Sequence, residues 1–185
     1  MKSLYLILIV AFFLLHQDLV IGSKKVEISV ENMDVCPNNN KNRYPIRGMT
    51  YKRINKTHSA VSFNVNILDD IDEKIWFHIQ LDRWANGRWV GMPFVGAQRD
   101  PCRFTIKYFP DAWISFVNDL NVQHPEKCPL PKGNYTASNS IIKTNTLDLP
   151  LWNGKMRAIY KWADSKQLKN IYYCLIIVVE VKEQL

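Results

Sequence analysis

Four segments of the chain alternate hydrophobic and polar residues with a period of two. Such alternation predicts a β-strand that buries one face and exposes the other. The segments are residues 26–31, 61–68, 75–82 and 155–162. A fifth segment, Tyr172–Val181, is apolar at both parities, which predicts a strand that is covered on both faces.

One segment repeats its apolar residues with the spacing of a helix. Pro110 suits the first turn of a helix. An apolar stripe at positions i, i+3, i+4 and i+7 follows it, and the stripe consists of Trp113, Phe116, Val117 and Leu120. We therefore predict a short amphipathic helix over Pro110–Leu120.

The turn signals complete the expected fold. Asn86-Gly87 stands between Trp84-Ala85 and Arg88-Trp89, and this dipeptide is a strong signal for a tight β-hairpin. No internal repeat or linker interrupts the chain. Several strands at short spacing with one helix predict an all-β fold, an antiparallel β-sandwich or β-cup with one short helix.

The first residues have the pattern of a secretory signal peptide. Lys2 precedes the apolar run Leu4–Leu15, and small residues before Ser23 predict cleavage after Gly22. The alternative is a membrane anchor, but a span needs roughly 20 apolar residues and this run is shorter. We expect residues 1–22 to be a signal peptide, and residues 23–185 to form one domain.

A secreted protein is expected to contain disulfide bonds and N-linked glycans. Cysteines pair in the oxidising secretory pathway. Two sequons, at Asn55 and Asn134, are candidate sites of N-glycosylation. We expect a secreted, extracellular glycoprotein.

The positive charge is concentrated in one part of the chain. The formal net charge is +7, and residues 35–68 contain no Asp or Glu. One interpretation is attraction to an anionic membrane surface or acidic glycans, and the alternative is an ordinary solvated surface. No nucleic-acid recognition module is visible. The candidate contact residues are Lys41, Arg43, Arg47, Lys52, Arg53 and Lys56.

The sequence offers little for catalysis or metal binding. The histidines after the signal are His58, His78 and His124, and none has a partner at metal-ligand spacing. The alternation places His78 on the exposed face of its strand. The acidic residues between 69 and 73 are typical of a solvated turn. We expect neither an enzyme nor a metal or cofactor site.

Four cysteines allow three pairings. We favour Cys36–Cys174, which would clamp the two ends of the domain together. The second bridge would then be Cys102–Cys128, which would close the segment that contains the predicted helix.

Several motifs in the second half of the chain resemble a known family. Cys128-Pro129 followed by Gly133-Asn134-Tyr135 resembles an element of the ganglioside activator protein, and three later motifs keep its order and approximate spacing. Asp100-Pro101-Cys102-Arg103-Phe104 resembles secreted insect chemosensory proteins related to that activator. The later motifs are Leu147-Asp148-Leu149-Pro150-Leu151-Trp152, Gly154-Lys155-Met156-Arg157 and Cys174 with Ile176.

The resemblance implies an immunoglobulin-like lipid-recognition fold, in which antiparallel strands surround an apolar cavity for acyl chains. It also implies the two disulfides named above. The expected cavity lining combines the helix stripe with aromatic and apolar residues near the hairpin and in a later turn. These residues are Trp113, Phe116, Val117, Leu120, Trp89, Met92, Phe94 and Trp152.

The function expected from these observations is a monomeric, non-enzymatic carrier of lipids or hydrophobic small molecules. The resemblance implies a role in chemosensation, such as pheromone perception, with a chemosensory receptor as a candidate partner. A first alternative is a membrane-docking glycolipid activator that assists a hydrolase. A second is a β-sandwich without a cavity that acts as a protein ligand.

Overall fold

The computed structural model describes residues 25–143, 147–148 and 153–183. Nine strands and two short helices make up these segments. The strands are β1 Lys25–Val35, β2 Arg47–Arg53, β3 His58–Ile67, β4 Trp76–Ala85, β5 Arg88–Arg99, β6 Gly133–Lys143, β7 Leu147–Asp148, β8 Gly154–Ala163 and β9 Ile171–Glu183. The helices are α1 Pro101–Tyr108 and α2 Pro110–Asp119.

The strands form two antiparallel sheets. The six-stranded sheet has the order β5-β4-β8-β9-β1-β7, and the three-stranded sheet has the order β2-β3-β6. Neither sheet closes on itself, and the helices follow β5. The fold class expected from the alternation, an all-β sandwich or cup, is confirmed.

The register gives the molecule two distinct ends. At one end, which we call the hairpin end, the Asn86-Gly87 turn lies beside the start of β8, because Arg83 pairs with Met156. The β2–β3 turn lies at this end as well, since the Ser29 hydroxyl of β1 donates to the Lys56 carbonyl at 2.8 Å. At the opposite end, which we call the helix end, β5 leads into α1.

Most of the expected elements are confirmed. The Asn86-Gly87 hairpin joins β4 to β5, with Trp84 opposite Trp89. The predicted helix is α2. The helix α1 was not expected; Asp100 caps it by accepting a hydrogen bond from the Arg103 amide at 2.9 Å, and Pro101 stands at its first position.

Both expected disulfides are confirmed. Cys36–Cys174 ties the chain after β1 to β9, and Cys102–Cys128 ties α1 to the loop that follows α2. The bridges span 138 and 26 residues. The chain-entropy model gives stabilisations of roughly 5 and 3.5 kcal/mol for segments of those lengths. Two bridges of this kind are typical of proteins that fold in an oxidising compartment.

Two details of the expected strands are wrong. His78 was expected to be exposed, yet only 8% of it is accessible, and Ser165 of the loop after β8 contacts it through its backbone. Strand β9 was expected to be covered on both faces. Most of its residues, on both faces, are instead half-buried.

We predict that the burial of His78 makes the protein less stable in mild acid. Burial, followed by the nearby Lys161 and Lys166, lowers the pKa of His78. The unfolded chain, with a histidine pKa near 6.5, therefore binds more protons than the folded protein as the pH falls through this region. The free energy of unfolding should decrease as the pH drops below about 6.5 and level off below the folded pKa.

Urea unfolding of the wild type and of His78→Phe, measured between mildly alkaline and acidic pH, tests this prediction. The difference in stability between the two proteins should be constant at alkaline pH and should shift in favour of the variant in acid. An equal acid slope in both proteins would contradict it.

Candidate ligand-binding interior

The inner face of the three-stranded sheet is tightly covered. Helix α2 packs on it: the Phe116 ring lies 5.8 Å from the Phe63 ring, and the Trp113 indole donates to the Pro125 carbonyl at 3.0 Å. The inward side chains of β3 and β6 are accordingly buried. They include Val61, Phe63, Val65, Ile67, Tyr135 and Ala137.

The inner face of the six-stranded sheet carries an aromatic wall near the helix end. Five rings from β4, α1, β8 and β9 follow one another at centroid distances between 4.5 and 6.1 Å. Tilted and edge-on contacts at such distances are favourable. The wall consists of Phe77, Phe104, Tyr160, Trp162 and Tyr173.

Between the aromatic wall and the hairpin end, the hydrophobic interior is interrupted. The buried residues divide into a main core at the helix end and a small cluster of Val26, Ile28, Met156 and Val181. Ala158 and Ile177 pair directly across β8 and β9, and they point inward between these two clusters. Neither residue belongs to a cluster, and both are half-buried although their strands are central.

This interruption indicates a hollow. A domain normally has one contiguous core, and inward side chains on central strands are normally buried. The described residues show two clusters with accessible apolar side chains between them. A space between the sheets at the level of Ala158 and Ile177 would explain both observations, and we refer to this candidate space as the hollow.

Polar atoms in the aromatic wall lack hydrogen bonds of regular geometry. The Tyr160 hydroxyl and the Trp162 indole nitrogen are buried near each other, with Thr105 also close to the hydroxyl, and neither has a hydrogen bond of regular geometry within the described part of the chain. Desolvation raises the pKa of Tyr160 to about 12 and also raises the pKa of Tyr173. Each unsatisfied group costs about 1–3 kcal/mol, so the wall holds polar atoms at a cost to stability.

The residues expected to line the cavity lie in different surroundings. Trp113, Val117 and Leu120 are buried in the main core and fill it. Phe116 is half-buried against that core. Met92 is half-buried and packs against the small cluster.

The remaining candidates lie elsewhere. Trp89 is on the outer face of the six-stranded sheet, where the guanidinium of Arg157 lies 4.8 Å from its ring centre. Arg157 is held by Asp82, its Nε donating at 2.9 Å to a carboxylate that is only 2% exposed. The side chain of Phe94 and the whole of Trp152 lie outside the described residues.

The candidate basic residues are distributed along β2 and the turns beside it. Arg43 is paired with Asp69, and the hydrogen bonds that Tyr44 and Arg43 donate lower the pKa of the Asp69 carboxyl. Arg53 donates to the Ser29 hydroxyl at 2.9 Å. The other four, Lys41, Arg47, Lys52 and Lys56, have exposed side chains.

The hairpin end exposes apolar side chains as well as cations. Four of the five large hydrophobic side chains that are exposed among the described residues lie here, namely Ile54, Trp84, Val90 and Ile141. The fifth, Leu68, lies at the end of β3 toward the helix end. Both sequon asparagines are exposed, Asn55 in the β2–β3 turn and Asn134 on β6.

Acidic residues that follow β3 accept hydrogen bonds from backbone amides. The Asp70 carboxylate accepts from the Lys132 amide at 2.8 Å, and that of Asp72 accepts from the Lys74 amide at 2.9 Å. Among the described residues, no group of three or more His, Cys, Asp or Glu side chains is placed to hold a metal ion. Nor is any described helix long and apolar enough to cross a membrane.

Comparison of the sequence with models of known protein families and with curated proteins finds no match.

The residues that define the hollow were not singled out by sequence reasoning. The alternation predicts that Ala158 faces inward with Met156 and Tyr160, but it did not single out Ala158 or Ile177 as bordering a space. The available signal was Ala158 itself, a small residue between the large inward side chains of Met156 and Tyr160. A small side chain at such a position leaves room in front of the strand.

We predict that the space in front of Ala158 accepts a large side chain. Ala158→Phe should lower the free energy of unfolding by less than about 1 kcal/mol, because the ring enters an existing hollow. The matched control is Ala137→Phe on β6, where the alanine is 2% exposed. Overpacking there should cost about 1–3 kcal/mol. Urea unfolding of both variants measures the difference, and equal large losses would show that the interior is solid.

Proposed function

We propose that the protein is a secreted, non-enzymatic binding protein for lipids or other hydrophobic small molecules. The interruption of the core at Ala158 and Ile177 carries this proposal, because an interior that is not filled by side chains can take up an apolar ligand. The walls of the hollow are apolar and aromatic, which suits hydrocarbon chains.

The energetics of such a site follow from burial. Each methylene group that leaves water contributes about 0.8 kcal/mol, so affinity should rise about fourfold for each carbon added to a chain that fits. The Tyr160 hydroxyl and Trp162 indole N–H, which lack hydrogen bonds of regular geometry, stand in the aromatic wall at the inner end of the hollow. A small rearrangement would let them bond a polar group of the ligand.

Secretion and a role in chemosensation belong to the same proposal. The apolar N-terminal run with its predicted cleavage site and the two disulfides support passage through the secretory pathway. The resemblance of the cysteine-flanked motifs to secreted insect chemosensory proteins supports a carrier of hydrophobic signals in an extracellular fluid.

We predict that the secreted protein carries an extractable lipid and displaces a fluorescent fatty-acid probe. Mass spectrometry of organic extracts and a displacement titration with saturated fatty acids of increasing length measure these two properties. Affinity should increase with chain length until the hollow is full. Ala158→Phe, which fills the hollow, should weaken binding by about tenfold or more, since it removes space for two or more methylene groups.

The Ala158→Phe variant also separates the outcomes. Lost binding with retained stability supports uptake in the hollow. The absence of both co-purified lipid and saturable displacement in the wild type would overturn the proposal.

A second candidate function is docking on an anionic membrane to extract or deliver a lipid. The hairpin end favours it, since it carries two groups of exposed apolar and cationic side chains: Trp84 and Val90 with Arg88 on the β4–β5 hairpin, and Ile54 with Lys52 and Lys56 at the β2–β3 turn. Tryptophan is well suited to the interface between headgroups and acyl chains, and clustered cations are attracted to anionic lipid.

We predict that the protein binds vesicles containing phosphatidylserine and that added salt weakens this binding. Trp84→Ser should reduce binding several-fold. The matched control is Leu68→Ser, which removes an equally exposed apolar side chain beside Asp69 near the helix end. Vesicle co-sedimentation at two salt concentrations measures the effect. Equal losses in both variants, or no binding by the wild type, would exclude docking through the hairpin end.

A further inference from the structure

The outer face of the six-stranded sheet is apolar at its centre. Ile159 on β8 lies opposite Ile176 on β9, and Val178 follows on the same face of β9. These three side chains point away from the interior, belong to neither core cluster and are half-buried. Apolar side chains on the solvent face of a central strand pair typically mark a surface that another molecule covers.

A groove runs along this apolar centre. It has a volume of about 200 Å³, and it reaches from the Cys36–Cys174 bridge across the two strands. Its lining includes Pro37, Ile159, Lys161, Ile171 and Ile176. The only charged residue in the lining is Lys161.

The apolar centre has a free positive charge on one side and a free negative charge on the other. Lys161 lies on β8 opposite Cys174, and Asp34 lies on β1 opposite Ile176. Within the described part of the chain neither residue forms a salt bridge. The Asp34 carboxylate accepts a hydrogen bond from the neighbouring Val35 amide at 2.7 Å. Two other charged pairs on this sheet are satisfied, Lys155 with Glu31 at 2.9 Å and Arg157 with Asp82.

We propose that this face binds a second copy of the same chain through a two-fold axis that lies in the interface, parallel to the sheet, and passes over β9 near Ile176. Lys161 and Asp34 lie on the strands that flank β9, so their midpoint falls on β9. A two-fold axis that lies in the interface, passes over this midpoint and is perpendicular to the line joining the two residues places Lys161 of each copy against Asp34 of the other. The same rotation brings the apolar centres of the two copies together.

The size of the face suits a dissociable dimer. Strands β4, β8, β9 and β1 are neighbours in the sheet. A face of four strands, spaced about 4.8 Å apart and about ten residues long, covers roughly 650 Å² per copy, which is at the low end for specific interfaces. The sequons do not obstruct it, since Asn55 and Asn134 belong to the three-stranded sheet and its turn. This proposal replaces the sequence-based expectation of a monomer, and it does not depend on ligand binding.

The test is a charge swap across the proposed interface. Sedimentation velocity over a wide concentration range should show a reversible monomer–dimer equilibrium for the wild type. Lys161→Asp and Asp34→Lys should each weaken the dimer by about tenfold or more, because each places like charges opposite one another. The double variant should restore the dimer, since it exchanges the two charges and leaves the pair attractive.

Lys52→Asp is the control for the change in net charge, because Lys52 lies on the three-stranded sheet, and it should leave the equilibrium unchanged. Restoration by the double variant also shows that the single variants are folded. A wild type that stays monomeric at all concentrations would overturn the proposal. So would single variants that dimerise like the wild type, or a double variant that fails to recover.

Discussion

The antiparallel pairing of β8 with β9 is the interaction on which the rest of the structure depends. Their ladder runs from Gly154 opposite Val181 to Trp162 opposite Tyr173, with neighbouring strands on both sides. Because β9 is apolar at both parities, this pair presents hydrophobic side chains to both faces of the sheet. The inward set borders the hollow, and the outward set forms the apolar centre of the outer face. Cys36–Cys174 fixes β9 to the end of β1, so both surfaces have a fixed position.

The two sheets differ in what covers them, and this difference accompanies the division of the buried residues into two clusters. Helix α2 packs its apolar stripe on the three-stranded sheet, which buries side chains such as Phe63 and Ala137. Helix α1 places Phe104 on Phe77 at the helix end of the six-stranded sheet. Neither helix contributes a side chain to the small cluster toward the hairpin end. Among the described residues the helices therefore contribute to the main core and not to the cluster beyond Ala158 and Ile177.

The sequence predicts β1, β3, β4 and β8 by their alternation, and it predicts β9 by its continuous apolar run. It does not predict β2 or β6. In β2, only Met49 and Tyr51 point toward the interior, and their neighbours are exposed. In β6, an extra residue opposite Val61–Phe63 forms a bulge, so the inward-facing positions do not keep a period of two along the whole strand. Helix α1 is hidden because Arg103-Phe104-Thr105-Ile106 alternates like a strand. His78 is misassigned because a later loop covers it.

The candidate site is less predictable than the fold, for a physical reason. An apolar stripe such as Trp113, Val117 and Leu120 has the same sequence pattern whether it fills a core or lines a cavity. The outcome depends on the separation of the sheets and on which helix lies between them, and both are set by long-range contacts. Ala158 shows the same limitation, since a small inward residue marks a hollow only when nothing opposite it is large enough to fill the space.

A hollow interior reduces the apolar burial that stabilises a domain, and in this chain the covalent links offset that loss. Burial normally supplies most of the favourable free energy of folding, and the split core forgoes the part that a contiguous one would provide. The buried Tyr160 hydroxyl and Trp162 indole N–H, which lack hydrogen bonds of regular geometry, add to the loss. Cys36–Cys174 closes most of the chain into one loop and Cys102–Cys128 closes the helical segment, so the unfolded state loses conformational freedom. Stability drawn from the unfolded state lowers the amount of apolar burial that the fold requires, and this is the physical link between the disulfides and the proposed hollow.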